Sequence, residues 1–266
     1  MIDFKQKEKY DINDLLEIMR SLRAPGGCPW DAEQTHESIR KNLIEETYEV
    51  VEAIDKKDSG MLLEELGDLL MQVVFHAQME DEKGVFNFDD VADGVCKKLI
   101  ERHPHVFGEV EVSGVDDVLD NWDAIKRRKK GQKKGSEPML SVPRELPALM
   151  RAAKIQQKAS AVGFDWPDVS GAYDKIIEET QELRKAVESG VQDDVIEELG
   201  DLLFSVVNVS RFLKCDAEEA LTAASDKFIN RFIRVEQLAK EIGVDMEKAS
   251  LEELDKLWDI AKTNDK

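Results

Sequence analysis

The sequence has few basic residues and no long apolar run, and each shortage excludes a class of protein. Its 37 Lys and Arg stand against 57 Asp and Glu, so the formal net charge is −20 at pH 7. A general nucleic-acid binder carries a basic face, so we expect no nucleic-acid partner. No apolar run approaches the roughly 20 residues that a membrane span needs, so we expect no membrane partner.

Cysteine is also scarce. Cys28, Cys96 and Cys215 are widely spaced and match neither a disulfide framework nor a zinc motif. The first residues, MIDFKQKEKYD, lack the apolar core of a secretory signal. Together these features predict a cytoplasmic protein.

Proline is absent from two long stretches, residues 31–103 and 168–266. Because proline breaks helices, both stretches can hold long ones. Both are rich in Leu, Glu, Ala and Lys, which favour helix. Hydrophobic residues make up 42% of the chain, enough for a sizeable core. The sequence therefore predicts an all-α globular protein.

An internal repeat divides the chain. Residues 42–76 align without gaps onto residues 175–209 at a constant offset of 133, with 15 identities in 35 positions. The identities cluster in IEET and EELGDLL, and two later segments recur in the same order: KLIER with KFINR, then WDAIK with WDIAK. The sequence therefore predicts a first domain over 1–128, a basic linker over 129–139 and a second domain over 140–266.

The linker prediction depends on the segment KRRKKGQKK, which has seven basic residues in nine. We interpret this segment as a solvated connector. A basic arm that touches an acidic partner or a phosphate is the alternative interpretation.

Each copy is predicted to be four-helix-bundle-like, with two of its helices paired. The predicted pairs are 34–56 with 60–80 and 171–188 with 193–213, each broken by a short turn containing Ser-Gly. A short connection makes two helices antiparallel neighbours.

Two acidic pairs recur on these paired helices, as E-x-x-E followed by E-x-x-D. Residues three apart share one helix face, and four carboxylates facing each other across a hairpin repel unless a cation lies between them. Carboxylates without thiolate or imidazole select Mg²⁺, with Mn²⁺ as a possible substitute. The predicted metal ligands are Glu46, Glu49, Glu65 and Asp68 in the first copy, and Glu179, Glu182, Glu198 and Asp201 in the second.

A glycine precedes the aspartate of each E-x-x-D motif. Gly67 and Gly200 lie in the middle of predicted helices, where glycine costs about 1 kcal/mol relative to alanine. We expect another helix to approach closely at both positions.

A basic pair and a tryptophan follow the acids in each copy. Lys and Arg one turn apart can hold phosphate oxygens, and tryptophan can stack on a base or sugar. Because Mg²⁺ keeps positions for water and phosphate, the combination suits phosphate-ester or anhydride chemistry. The predicted substrate-binding residues are Lys227, Arg231 and Trp258, with Lys98, Arg102 and Trp122 in the first copy.

These motifs resemble the MazG family of nucleoside triphosphate pyrophosphohydrolases over nearly the whole chain. The resemblance is carried by EETYEV, EELGDLL, RHPHVF, GFDWPD, IIEETQEL and LWDIAK. It implies a tandem repeat of the MazG domain and an intertwined homodimer. It also implies Mg²⁺-dependent hydrolysis of NTPs and dNTPs to the monophosphate and pyrophosphate, with broad base specificity and a house-cleaning role.

The resemblance also implies roles for single residues. It places Lys175, Lys227 and Arg231 at the triphosphate and Trp258 at the nucleoside, and it places the activity mainly in the second copy. Asn42 occupies the position of Lys175 in the first copy, although all four acids there are intact.

For the chemical step we expect a water to attack the α-phosphorus, with pyrophosphate as the leaving group. A metal or a neighbouring carboxylate, Glu178 or Glu197, orients that water, and the sequence leaves open whether Glu178 is the base or an outer-shell ligand. An alternative function is a metal-binding helical regulatory or dimerisation module, with activity in only one copy or in neither.

Overall fold

The computed structural model describes residues 4–114, 117–118, 121–122 and 136–263. Within them the secondary structure is helical without any strand, so the all-α prediction is confirmed. The chain forms two compact units, the N-terminal half (Met1–Lys129) and the C-terminal half (Lys130–Lys266). The predicted basic linker lies outside the described residues as far as residue 135.

The N-terminal half is built on a helical hairpin, formed by α3 and α4. Helix α1 packs across α4 and α2, and α5 packs on α4 and α6. Asp11 begins α1 with a reciprocal capping box to Asp14, and Asn87 begins α5 in the same way with Asp90. The described helices of this half are α1 (Ile12–Arg23), α2 (Pro29–Glu33), α3 (Arg40–Lys56), α4 (Ser59–Glu82), α5 (Phe88–Arg102) and α6 (Pro104–Phe107).

The first helix of this hairpin begins later than predicted, at Arg40 instead of residue 34. Thr35 and Ser38 explain the difference, because each side chain accepts a hydrogen bond from the other's backbone N–H, at 3.2 and 2.9 Å. Such local bonds offer the backbone an alternative to the helix. The prediction that the helix starts at residue 34 is therefore wrong.

The C-terminal half repeats the hairpin as α9 and α10. Helix α8 packs against α7, α10 and α11, and α11 packs against α12. The helices of the described part of this half are α7 (Glu137–Leu140), α8 (Ala148–Ser160), α9 (Val169–Ser189), α10 (Gln192–Phe212), α11 (Ala217–Ile242) and α12 (Leu251–Thr263).

Both hairpins turn through a residue in the left-handed region, at equivalent positions of the repeat. Lys57 (φ 54°) ends α3, and Gly190 (φ 74°) ends α9. The two positions differ by the repeat offset of 133. A left-handed conformation strains a lysine more than a glycine, so the first turn is the more strained of the two.

Each half has its own small core. In the N-terminal half Met19 from α1 and Ile39 pack with Val74, Phe75 and Met79. The core cluster of the C-terminal half lies between α11 and α12 and contains Val235, Ala239, Leu257 and Ala261. Among the described residues, no helix combines the length and apolarity that a bilayer span requires.

Gly67 and Gly200 do not serve close packing within their own halves. A Cβ atom added at either position would meet no atom within 4 Å. The expected close approach of another helix is therefore wrong within each half.

Candidate active site

The acids of the C-terminal hairpin form two carboxylate triads that share one residue. Glu178, Glu179 and Glu182 of α9 bring carboxylate oxygens within 4.8 Å of one another, and so do Glu179, Glu198 and Asp201. Glu179 belongs to both triads and is only 3% exposed. The hairpin therefore brings all four predicted ligands of this copy into one cluster.

Lys175 partly neutralises this cluster. It lies one turn before Glu179 on α9 and forms ion pairs with both Glu179 and Glu178, the second with 3.1 Å between Nζ and Oε1. These two carboxylates, Glu179 first, raise the pKa of Lys175. A cation thus already lies beside the most buried acid of the cluster.

Mutual repulsion is visible at Glu198. Burial, followed by the charges of Glu182, Glu179 and Asp201, raises the pKa of the Glu198 carboxyl. A carboxylate held among like charges gains stability from any cation that binds there.

The N-terminal hairpin forms one triad, from Glu46, Glu49 and Glu65. Asp68 lies outside this triad, but its charge acts on Glu46, whose pKa is raised by burial and then by Asp68. Burial and then Glu49 raise the pKa of Glu65. The first copy therefore has a similar but smaller acidic cluster.

The composition of the triads fits a hard divalent cation. All donors are carboxylate oxygens, which suit Mg²⁺ and Mn²⁺ and not the softer metals that thiolates select. Burial, followed by the charges of the neighbouring carboxylates, raises the pKa of Glu198 and Glu65. The residues present are therefore compatible with such an ion.

The predicted basic and aromatic residues of the second copy lie together on α11 and α12. The guanidinium carbon of Arg231 lies 6.0 Å from the ring centroid of Trp258, within the range of a cation–π contact. Phe228 contacts the same ring, with 5.0 Å between centroids. Lys227 is exposed on α11. These residues thus share helices that differ from the two carrying the acids.

In the first copy the equivalent residues lie around the end of α5. Lys98 is exposed and Arg102 is half-buried on that helix. The Trp122 ring meets His103 edge-on, with 5.1 Å between centroids.

A large cavity adjoins the acidic cluster of the C-terminal half, with a volume of about 800 Å³. Lys175, Glu179 and Asp201 lie on its wall. The remaining wall is mostly apolar or aromatic and comes from α7, α8, α9, α10 and the segment before α9. A ligand that touched the acids would therefore have its other end in this cavity.

Sequence reasoning missed the residues that shape the cavity. The ring of Trp166 lies so close to Gly171 that a Cβ there would be 2.3 Å from Cδ1 of the ring. Arg211 holds the segment before α9 in place through a bidentate ion pair with Asp165, at 2.5 and 2.9 Å. This ion pair lowers the pKa of Asp165. The motif GFDWPD contains both Asp165 and Trp166, and its position before the acidic helix was the available signal.

Comparison with known proteins identifies the two regions of the chain that contain the acidic clusters. The family profile of the MazG nucleotide pyrophosphohydrolase domain matches residues 34–107 and residues 171–236. These ranges contain both acidic clusters and both hairpins.

Whole-length relatives are similar over almost the entire chain. The chain is 48% identical to a protein of Thermotoga maritima named nucleoside triphosphate pyrophosphohydrolase/pyrophosphatase MazG, over 95% of this chain and 96% of that protein. It is 44% identical to the nucleoside triphosphate pyrophosphohydrolase of Escherichia coli K12, over 94% of this chain and 97% of that protein. Bacillus subtilis YabN, named as uncharacterized, is 48% identical over 97% of this chain and 53% of that protein. The chain belongs to the MazG family and carries its domain twice.

Proposed function

We propose that the protein hydrolyses nucleoside triphosphates to the monophosphate and pyrophosphate, with Mg²⁺, across the common bases and both sugars. The observation that carries this proposal is the pair of triads joined by Glu179 beside a ligand-sized cavity. The names of the Thermotoga maritima and Escherichia coli relatives support the same reaction.

The metal would be held by Glu179, Glu182, Glu198 and Asp201, the four acids that converge from α9 and α10. When bound, Mg²⁺ supplies charge neutralisation on the triphosphate and on the leaving pyrophosphate. Mn²⁺ presents the same preference for oxygen ligands and could substitute.

The protein's own side chains would orient the substrate and the attacking water. Lys175 lies within reach of the cluster and would turn from Glu178 and Glu179 to a phosphate oxygen once a metal neutralises those acids. Lys227 and Arg231 add positive charge for the triphosphate, and Trp258 offers an aromatic face to the sugar. Charged donors of this kind stabilise a transition state that develops negative charge.

A carboxylate would accept the proton of the water that attacks the α-phosphorus. Glu178 and Glu197 are the two exposed candidates, one on each helix of the hairpin. Glu178 belongs to a triad with Glu179 and Glu182, so it is engaged within the acidic cluster, whereas Glu197 belongs to neither triad. We therefore assign the role of general base to Glu197.

We assign the main activity to the C-terminal half. Its cluster comprises two triads and includes Lys175, whereas the N-terminal cluster comprises one triad and has Asn42 at the lysine position. The N-terminal half would then act as a metal-binding module with little turnover.

Pyrophosphate release from a panel of NTPs and dNTPs tests this proposal. Glu198→Gln should reduce kcat by about 100-fold, and Glu65→Gln in the N-terminal cluster should reduce it by less than about twofold. Equal losses from the two variants would contradict the assignment to the C-terminal half. Release of phosphate instead of pyrophosphate would contradict the reaction itself.

We also propose that the protein works as a homodimer. Equivalent apolar residues of both hairpins are exposed in register with the repeat, and contiguous exposed apolar faces mark interaction surfaces. The stripes on α4 and α10 contain Leu63, Leu66, Leu70 and Val73, and Ile196, Leu199, Leu203 and Val206.

Light scattering after size exclusion tests the dimer. The wild type should have twice the mass of the chain, and Leu203→Glu, which places a charge within the stripe, should shift it toward the monomer. A wild type that is monomeric at micromolar concentration would contradict the dimer.

A further inference from the structure

We propose that the cavity of the C-terminal half is a nucleobase pocket, in which Gln156 accepts a hydrogen bond from an N–H group of the base. The inference rests on the proposed function, because it assigns the phosphate end of the ligand to the acidic cluster. It adds a base-contacting residue on α8, a helix that carries no predicted site residue.

The first support is continuity between cavity and acids. Lys175, Glu179 and Asp201 belong both to the acidic site and to the cavity wall. Phe164, Trp166 and Phe204 add aromatic surface to the wall. A volume of about 800 Å³ lies in the range of small-molecule sites, which combine apolar walls with a few oriented polar groups. A flat aromatic base fits such a wall by stacking.

The second support is the fixed amide of Gln156. This side chain lines the cavity and is 6% exposed. Its Nε2 donates to the backbone oxygen of Phe204 at 2.7 Å, so the orientation of the amide is set. Its Oε1 is buried without a hydrogen-bond partner. Because an unsatisfied buried acceptor is costly, this oxygen calls for a donor from a ligand in the cavity.

A second amide lies on the same wall. Asn208 is 9% exposed, and its Oδ1 accepts a hydrogen bond from Nε of Arg211 at 3.0 Å. That bond leaves Nδ2 of Asn208 as a donor. An acceptor from Gln156 and a donor from Asn208 complement the mixed donor and acceptor edge that every natural base presents. The pair therefore suits broad base specificity.

The third support comes from the repeat itself. At the offset of 133, Ala172 and Asn208 of the cavity wall correspond to Ile39 and Phe75. Those two larger side chains are 2% and 4% exposed and form part of the N-terminal core. The same scaffold thus holds packed apolar side chains in one half and an open cavity in the other.

The experiment compares two probes by calorimetry in the presence of Mg²⁺. One is α,β-methylene ATP, which carries a base and resists cleavage at the α-phosphorus. The other is tripolyphosphate, which has the phosphates but no nucleoside. All variants carry Glu49→Gln and Glu65→Gln, which neutralise acids of the N-terminal cluster, so that binding reports the C-terminal half.

Gln156→Met preserves side-chain length and removes both the Oε1 acceptor and the Nε2 donor to Phe204. We expect it to weaken binding of α,β-methylene ATP about tenfold, the loss of one buried hydrogen bond, and to leave tripolyphosphate binding unchanged. Ala172→Ile introduces the residue found at the equivalent N-terminal position and narrows the cavity. It should give the same pattern. Gln72→Met is the matched control, because Gln72 is also buried with an unpartnered Oε1 but lies in the N-terminal half. It should change neither affinity.

Three outcomes would overturn the inference. In the first, Gln156→Met and Ala172→Ile leave the affinity for α,β-methylene ATP unchanged. In the second, both probes weaken equally, which would place the effect at the acids. In the third, the variants dissociate the dimer but leave the affinity for α,β-methylene ATP unchanged, which would mean that a second copy fills the cavity. Absence of pyrophosphate release from NTPs would refute the proposed function, while the two affinities would still decide this inference.

Discussion

Lys175 forms an ion pair with Glu179, the carboxylate shared by both triads of the C-terminal hairpin. The lysine occupies the place where a positive charge is most needed when no metal is bound. Glu179 is almost fully buried, so its charge depends on this partner or on a metal.

Removal of Lys175 should therefore destabilise the protein when no metal is present, because Glu179 then has no positive partner. We expect Lys175→Met to lower the free energy of unfolding by about 2 kcal/mol in EDTA, because a buried carboxylate loses its partner. Added Mg²⁺ should restore part of the loss. Urea denaturation with and without the ion measures both effects. Lys185→Met, at an exposed position of the same helix, is the control and should change stability little; an equal loss in the two variants would contradict the interpretation.

Divalent cation should stabilise the folded protein. Burial and then the neighbouring carboxylates raise the pKa of Glu46, Glu65 and Glu198. A cation that binds only the folded state stabilises it by about 2.7 kcal/mol at 100 times its Kd. Calorimetric melting with Mg²⁺ and with EDTA measures this difference. Glu198→Gln should reduce the gain, and a melting temperature that does not respond to Mg²⁺ would contradict the metal site.

Acid should destabilise the N-terminal half through a histidine pair. Nδ1 of His36 lies 2.7 Å from Nδ1 of His76, and Nε2 of His36 lies 2.6 Å from Glu80. Burial and then His36 lower the pKa of His76. A histidine with a lowered folded pKa stabilises the fold above its unfolded pKa of about 6.5. This contribution is lost as the pH falls below that value.

Urea denaturation between pH 7 and pH 5 tests this prediction. The wild type should lose at most about 1.4 kcal/mol per pH unit through His76, and His76→Gln should have a smaller slope. The pKa of Glu80 is lowered, chiefly by Lys83, so its contribution is lost only at pH values below this window. His103→Gln removes a histidine elsewhere in the same half; the same reduction of slope in that variant would refute the assignment.

The two hairpin turns offer a reciprocal test of backbone strain. Lys57→Gly should stabilise the N-terminal half by about 1 kcal/mol, because glycine adopts the left-handed conformation without strain. Gly190→Lys should destabilise the C-terminal half by a similar amount. Thermal melting of both variants gives the comparison, and a stabilising Gly190→Lys would show that φ does not decide the energy of these turns.

The two hairpins and the convergence of their acids were predictable from the sequence, because the repeat shows the same pattern twice. Glu46 and Glu179 occupy equivalent places in clusters that formed as spacing on a helix requires. The late start of α3 was not predictable from propensity, since it depends on the reciprocal bonds of Thr35 and Ser38.

The cavity was not predictable, because its wall comes from residues distant in sequence. Gln156 on α8 reaches Phe204 on α10, and only tertiary packing brings them together. Oε1 of Gln156 lacks a hydrogen-bond partner because of that packing, and no local sequence pattern predicts this.

Gly67 and Gly200 bear on what can lie beside each hairpin. Each weakens its helix relative to alanine, and a Cβ atom added at either position would meet no atom within 4 Å. The two hairpins differ at more than half of their aligned positions, yet both have this glycine. The proposed dimer offers a reason, because a glycine lets the backbone of a second copy come close to the hairpin at that point.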